Sequence, residues 1–129
     1  AAILSVKLTY FSEELEKRRS IAKRYSENLA TNFDVPVIKS NRSSAWAQYT
    51  IKVKNRDKLK LKLKDFNIPS SIFYPVPLHL QKCFKYLDYK INDFPVSENA
   101  SREVLSIPMN AFLKKEEIDY IVSKINKTI

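Results

Sequence analysis

The chain has 129 residues, 44% of them hydrophobic, with a formal net charge of +9 and no glycine. That length suits one domain whose core buries about two-thirds of the unfolded surface, and the missing glycines, where average usage of about 7% would place about nine, exclude the glycine-built phosphate cradles. No apolar run reaches the ~18 residues of a membrane span, and the single cysteine, Cys83, has no internal disulfide partner, so a soluble protein of the reducing cytoplasm is expected.

Leu4, Leu8, Phe11, Leu15, Ala22, Tyr25 and Leu29 recur at three-four spacing, which predicts a long N-terminal helix over residues 1–31. A break is expected between Thr9 and Ser12, because Ser12 before Glu13-Glu14 has the form of a new helix start. Val35-Pro36-Val37-Ile38 reads as a short edge segment. From Trp46 to Lys54 the pattern alternates, with Ala47, Tyr49, Ile51 and Val53 on one side, as in a half-buried strand. The next segment, Lys58 to Lys64, alternates Lys with Leu as a strand would. Yet Asn55 is a good N-cap, and Leu59, Leu63 and Phe66 stand at helical spacing. Helix is the better reading, with Leu61 left on the wrong side and Asn67 placed for a left-handed C-terminal cap.

Ser71 to Val76 reads as a second strand, and Pro75 and Pro77 keep Tyr74 to Leu78 extended as a stiff ribbon leading into His79, Leu80 and Gln81. A short helix is expected over Gln81 to Leu87. Another starts at Phe94-Pro95, with Val96, Ala100 and Val104 as its apolar face. Ser106 to Met109 is a brief strand. Ile118, Ile121, Val122 and Ile125 stripe a last helix from Glu116 to Asn126, where Glu116 and Glu117 complement the helix dipole. The fold class is therefore α+β: a small antiparallel sheet of about three strands, covered by helices on one face, with a long N-terminal helix.

Chemistry is sparse in this pattern. One histidine, one cysteine and no clustered carboxylates leave no usual zinc set, and no strand–turn–helix elbow presents a serine to His79. Cys83, beside Phe84, reads as a small buried hydrophobe. Between residues 52 and 64, Lys52, Lys54, Arg56, Lys58, Lys60, Lys62 and Lys64 oppose only Asp57. A basic module binding nucleic acid or an acidic partner is one reading of this run. The lack of interleaved aromatics or arginine forks argues against nucleic acid and for a solvated lysine face.

Several segments, taken in order, resemble the DegT/DnrJ/EryC1/StrS family of pyridoxal-phosphate (PLP) sugar aminotransferases. They are Ala1-Ala2-Ile3-Leu4, Arg18-Arg19-x-Ile21-Ala22-x-x-Tyr25, Gln48-Tyr49-x-Ile51, Ile68-Pro69, and Tyr74-Pro75-x-Pro77-Leu78-His79-Leu80-Gln81. Asp93-Phe94-Pro95-Val96, Leu105-Ser106-Ile107-Pro108-Met109 and Glu116-Glu117-Ile118-Asp119-Tyr120-Ile121 complete the series. The resemblance implies that residues 1–129 form one unit, the C-terminal small domain of an enzyme folded like the aspartate aminotransferases. The large domain with its Schiff-base lysine and phosphate-binding residues is expected ahead of residue 1. The parent enzyme would use PLP to move an amino group, usually from glutamate, to a nucleotide-linked keto-sugar, as a cytoplasmic homodimer. A PLP- or pyridoxamine-phosphate-dependent sugar dehydratase of the same family is the alternative. On either reading the segment alone is expected to be inactive, with no catalytic or cofactor-binding residue and no metal ligand of its own.

The same resemblance marks Tyr74, His79, Phe73 and Gln81 as substrate-binding candidates, with Tyr74 and His79 lining the sugar-nucleotide pocket. It also places Asn67, Asp88 and Asn92 where relatives carry glycine. Relatives often have His immediately before Tyr-Pro, where this chain has Phe73, which can stack on a base but not hydrogen-bond. Trp46 and Tyr49 are expected in the core or at a domain interface.

Overall fold

The computed structural model describes residues 1–128. A helix, α1 (Ala2–Leu29), leads to strand β1 (Tyr49–Lys52) and helix α2 (Arg56–Asp65); two 3-10 turns, Leu78–Leu80 and Lys82–Leu87, precede helix α3 (Pro95–Glu103), strand β2 (Val104–Ile107) and helix α4 (Lys115–Asn126). No described helix is long and apolar enough to cross a membrane.

The α+β class holds, with the sheet reduced to one antiparallel pair. Tyr49 faces Ile107 and Ile51 faces Leu105 in the register, so four apolar side chains share one face. On the other face the hydroxyls of Thr50 and Ser106 meet at 2.7 Å. The expected third strand, Ser71 to Val76, survives as a single bridge from Ser71 to Ser106. Pro75 and Pro77 cannot donate to a ladder, so pairing ends where the prolines begin. A second lone bridge joins Asp34 to Lys52, and the expected edge segment Val35–Ile38 beyond it makes no pairing with the sheet.

The core forms where α1, α2 and α4 cover the apolar face of the sheet. Ile21, Ala22, Tyr25 and Leu29 of α1 pack with Leu59 and Leu63 of α2 and Ile118, Ile121 and Ile125 of α4 around Tyr49, Ile51, Leu105 and Ile107. Tyr49 is fully buried, with Tyr25 5.1 Å away on one side and half-buried Trp46 stacked at 5.5 Å. Leu61 is exposed, which settles the ambiguous segment as the helix with one apolar residue on its wet side. Asn55 occupies the N-cap position of α2 without a side-chain cap bond.

Three local expectations need correction. The anticipated break in α1 is not there: the helix runs unbroken, with Lys17–Glu13 at 2.6 Å and Arg18–Glu14 at 3.7 Å bridging successive turns just after Ser12. Cys83 is exposed, because the 3-10 turn that carries it buries none of its residues. Helix α3 does not dock through Val96, which is 82% exposed; its buried residues are Glu98 and Ser101, held by polar partners described below.

Asn67, Asp88 and Asn92 all adopt left-handed backbone, with φ of 57°, 57° and 78°. Asn67 closes α2: its amide donates to the Lys64 carbonyl at 2.9 Å, and the Ile68 amide reaches the Leu63 carbonyl at 2.8 Å. Trp46 is also left-handed, at φ 49°, which no local signal announced.

Candidate functional site

The ribbon from Phe73 to Gln81 is the segment in which the sequence concentrates its site candidates, and the fold divides those residues into two sets. Tyr74, at 69% exposure, and Phe73, at 42%, stand outward with their rings edge to face at 5.7 Å. Phe73 also lines a shallow open hollow with Ala47, Gln48 and Met109. His79 turns the other way. Its side chain is 7% exposed, and Nε2 lies 3.1 Å from Oε1 of Glu98. The imidazole packs on Phe94 at 4.8 Å, and Phe94 meets Tyr89 at 5.0 Å. Gln81 turns back on the ribbon, where its amide Nε2 donates to the Val76 carbonyl at 3.3 Å. The structure therefore brings Phe73 with Tyr74 on the open side, while His79 and Gln81 turn inward to Glu98 and to the Val76 carbonyl.

Glu98 is the residue that sequence reasoning missed. It is 2% exposed, and the same Oε1 that faces His79 accepts the Asn92 backbone N–H at 2.8 Å. Burial pushes this carboxyl up, but the Asn92 amide, His79 and a backbone bond at Phe94 together outweigh it and hold Glu98 below the usual carboxylate range. A carboxylate only accepts, so His79 Nε2 is the protonated nitrogen of this contact. Arg56 was missed in a similar way, counted only as one more cation. It is 7% exposed; Nη1 donates to the carbonyls of Ser101 and Val104, both at 3.1 Å, while Nε meets Asp57 at 2.7 Å. The one available signal was position: Glu98 falls at the end of the first turn after Pro95, and Arg56 follows the cap of α2.

The basic run loses part of its cationic surface to these roles. Arg56 is internal, and Lys52 is paired with Glu103 at 3.1 Å and Asp34 at 3.9 Å. What remains is a row of lysines on α2 and its approach, without aromatic partners. Among the described residues no three His, Cys, Asp or Glu side chains are grouped to hold a metal ion. PLP does not fit this chain's own residues either: no described lysine is buried, and no glycine is available to bring backbone amides around a phosphate.

Comparison with known proteins supports the fold. The chain is 34% identical over 128 residues to the dTDP-3-amino-3,6-dideoxy-alpha-D-galactopyranose transaminase of Aneurinibacillus thermoaerophilus, over 98% of this chain and 35% of that protein. It is 40% identical over 129 residues to a protein of Geobacillus stearothermophilus named pleiotropic regulatory protein, over 97% of this chain and 35% of the other. A crystal structure of a DegT DnrJ EryC1 StrS aminotransferase from Brucella abortus superposes with a TM-score of 0.91 at 41% identity, covering 98% of this chain and 34% of that one. The chain thus spans about a third of the length of these relatives. Residues 1–126 match the family model, and the chain belongs to the DegT/DnrJ/EryC1/StrS aminotransferase family.

Proposed function

We propose that this chain is the substrate-facing C-terminal domain of a PLP-dependent aminotransferase that moves an amino group, from glutamate, to a nucleotide-linked keto-sugar. The observation that carries the reading is the match over 98% of the chain, at 34% identity, to a protein named as a dTDP-sugar transaminase. PLP bound in the remainder of the protein supplies the amino-carrying chemistry. The residues of this chain bind and orient. Tyr74 offers a ring face and a hydroxyl, Phe73 a ring to stack on a base, and the two prolines that follow, Pro75 and Pro77, keep that surface stiff, so little entropy is lost on binding. His79 and Gln81 set the ribbon from behind. The exposed apolar residues at the start of α1, among them Leu4, Leu8 and Phe11, are then the surface that the rest of a homodimeric enzyme covers.

The test is made on the full-length protein supplied with PLP. Glutamate is expected to release 2-oxoglutarate, and a dTDP- or UDP-linked keto-sugar to accept the amino group. Tyr74→Ala should raise the KM for the sugar nucleotide about tenfold, the worth of one good hydrogen bond or stacking contact, and His79→Ala should raise it comparably by loosening the ribbon, with the glutamate half-reaction little changed in both. Release of no 2-oxoglutarate, or water loss from the sugar with no amino transfer, would replace this reading.

A further inference from the structure

We infer that Glu98 is a positioning residue for the ribbon of Tyr74, its carboxylate holding the His79 ring and the Asn92 turn in one fixed arrangement. The inference rests on the substrate-facing role proposed above for that ribbon.

The argument begins with what the ribbon lacks. Pro75 and Pro77 have no N–H, and the neighbouring chain pairs with the sheet only through the Ser71–Ser106 bridge. A ladder therefore cannot set where Tyr74 stands. Two side chains take over that task. Gln81 Nε2 donates to the Val76 carbonyl, and His79, two residues after Pro77, is drawn inward by Glu98. Glu98 in turn is one-sided: a single oxygen, Oε1, accepts both from His79 Nε2 at 3.1 Å and from the Asn92 amide at 2.8 Å. The two donors lie on opposite ends of the excursion between the ribbon and α3, so one atom closes the loop. Asn92, at φ 78°, turns its amide inward from a left-handed position. The phenyl ring of Phe94 fills the remaining side of the imidazole at 4.8 Å.

The helix carrying Glu98 is itself pinned. Arg56 Nη1 takes the carbonyls of Ser101 and Val104, which fixes the end of α3 against the start of α2. A continuous path of contacts thus runs from the core helix α2, through α3 and Glu98, to His79 and the ribbon. Stability alone does not account for a buried carboxylate and imidazole here, since packed apolar residues of similar volume serve stability as well or better than a buried ionic pair. What the pair adds is direction. A hydrogen-bonded ring has one orientation and one protonated nitrogen, whereas an apolar contact admits several.

Glu98→Ala and Glu98→Gln variants of the full-length protein test this by hydrogen exchange and by steady-state kinetics with a dTDP- or UDP-linked keto-sugar. In Glu98→Ala the hydrogen-bonded amides of Leu80, Gln81 and Asn92 should exchange about tenfold faster, those of β1 and β2 staying as protected as before. The KM for the sugar nucleotide should rise about tenfold with kcat within about threefold, because Glu98 touches no reacting atom. Glutamine keeps an oxygen in the same place, so Glu98→Gln should return both readouts to within about threefold of the parent. Unchanged exchange, a fall in kcat with KM unchanged, or a folded Glu98→Gln variant as impaired as Glu98→Ala would each overturn the inference. Should Glu98→Ala fail to fold, NMR of the unmodified protein, with His79 assigned by its loss in His79→Gln, decides instead. The expected result is a proton held on Nε2; a ring protonated on Nδ1 alone overturns it. A protein that transfers no amino group at all would sink the functional reading, while the exchange and NMR arms would still decide for or against Glu98.

Discussion

The hydroxyl of Tyr25 in α1 donates to the carbonyl of Pro108 at 2.9 Å, tying the longest helix to the loop that leaves β2. Burial, with the Tyr49 phenol and the Glu117 carboxylate adding to it, pushes the Tyr25 hydroxyl far above its ordinary range, so it is a donor at every working pH. Removing that hydroxyl leaves the carbonyl without its partner at the edge of the core. Tyr25→Phe should cost about 1–2 kcal/mol. In urea unfolding of the 129-residue chain, this appears as a lower midpoint with an unchanged slope.

Arg56 gives a sharper result because it serves three acceptors at once. A lysine in its place keeps the charge but not the planar fork, so it cannot reach Asp57 and the end of α3 together. Arg56→Lys is expected to destabilise by about 1.5–3 kcal/mol, as for a charge-assisted hydrogen bond in a buried setting. The reverse substitution at exposed Lys58, Lys58→Arg, should be neutral.

At Asn67 the backbone decides. The position is left-handed and ends α2 with a pair of capping bonds. Asn67→Ala should lower stability by about 1–2 kcal/mol, since a Cβ without a compensating polar group crowds the following carbonyl. Asn67→Gly should fall within about 0.5 kcal/mol of the parent, relief of strain being offset by the freer unfolded chain. Thermal melts of the three chains check the order.

Glu98 gives the chain an acid-sensitive component. Its carboxyl sits below the usual range in the folded protein, so in acid the unfolded chain binds more protons than the folded one. The contribution is therefore complete above the ordinary glutamate value of about 4.3 and is lost as the pH falls through the lower, folded value. Urea midpoints followed from about pH 7 to about pH 3 should drop less steeply in Glu98→Gln than in the parent. Parallel curves would show that Glu98 is not linked to acid unfolding.

The start of α1 makes the last prediction. Residues 2–13 are all exposed, about 18 Å of helix reaching beyond the body of the fold, and Leu4, Leu8 and Phe11 continue the stripe that buries Tyr25 and Leu29 further along. If the rest of the polypeptide covers this stripe, Leu8→Lys should lower the melting temperature of the full-length protein by several degrees, roughly the worth of one buried leucine. In the 129-residue chain the same change should leave the melt unaltered. Equal effects in both would place no partner on this stripe.

The helices and the central strand were legible in the sequence because each reports itself through a local period. The stripes of α1 and α4 and the alternation of Tyr49 and Ile51 depend only on which face is apolar, and left-handed Asn67, Asp88 and Asn92 reflect the side chains that tolerate that backbone best after glycine. The site was legible only as a ribbon. Its two prolines announce stiffness, but they do not say which side chains turn out and which turn in. That was decided by pairs far apart in the chain: His79 with Glu98 across 19 residues, and Arg56 with Ser101 across 45. The same blindness explains α3, whose apolar pattern pointed to Val96 although its buried residues are Glu98 and Ser101. A buried polar residue leaves no trace in a hydrophobic period, because it is buried by the partner that satisfies it, and only the folded chain brings that partner near.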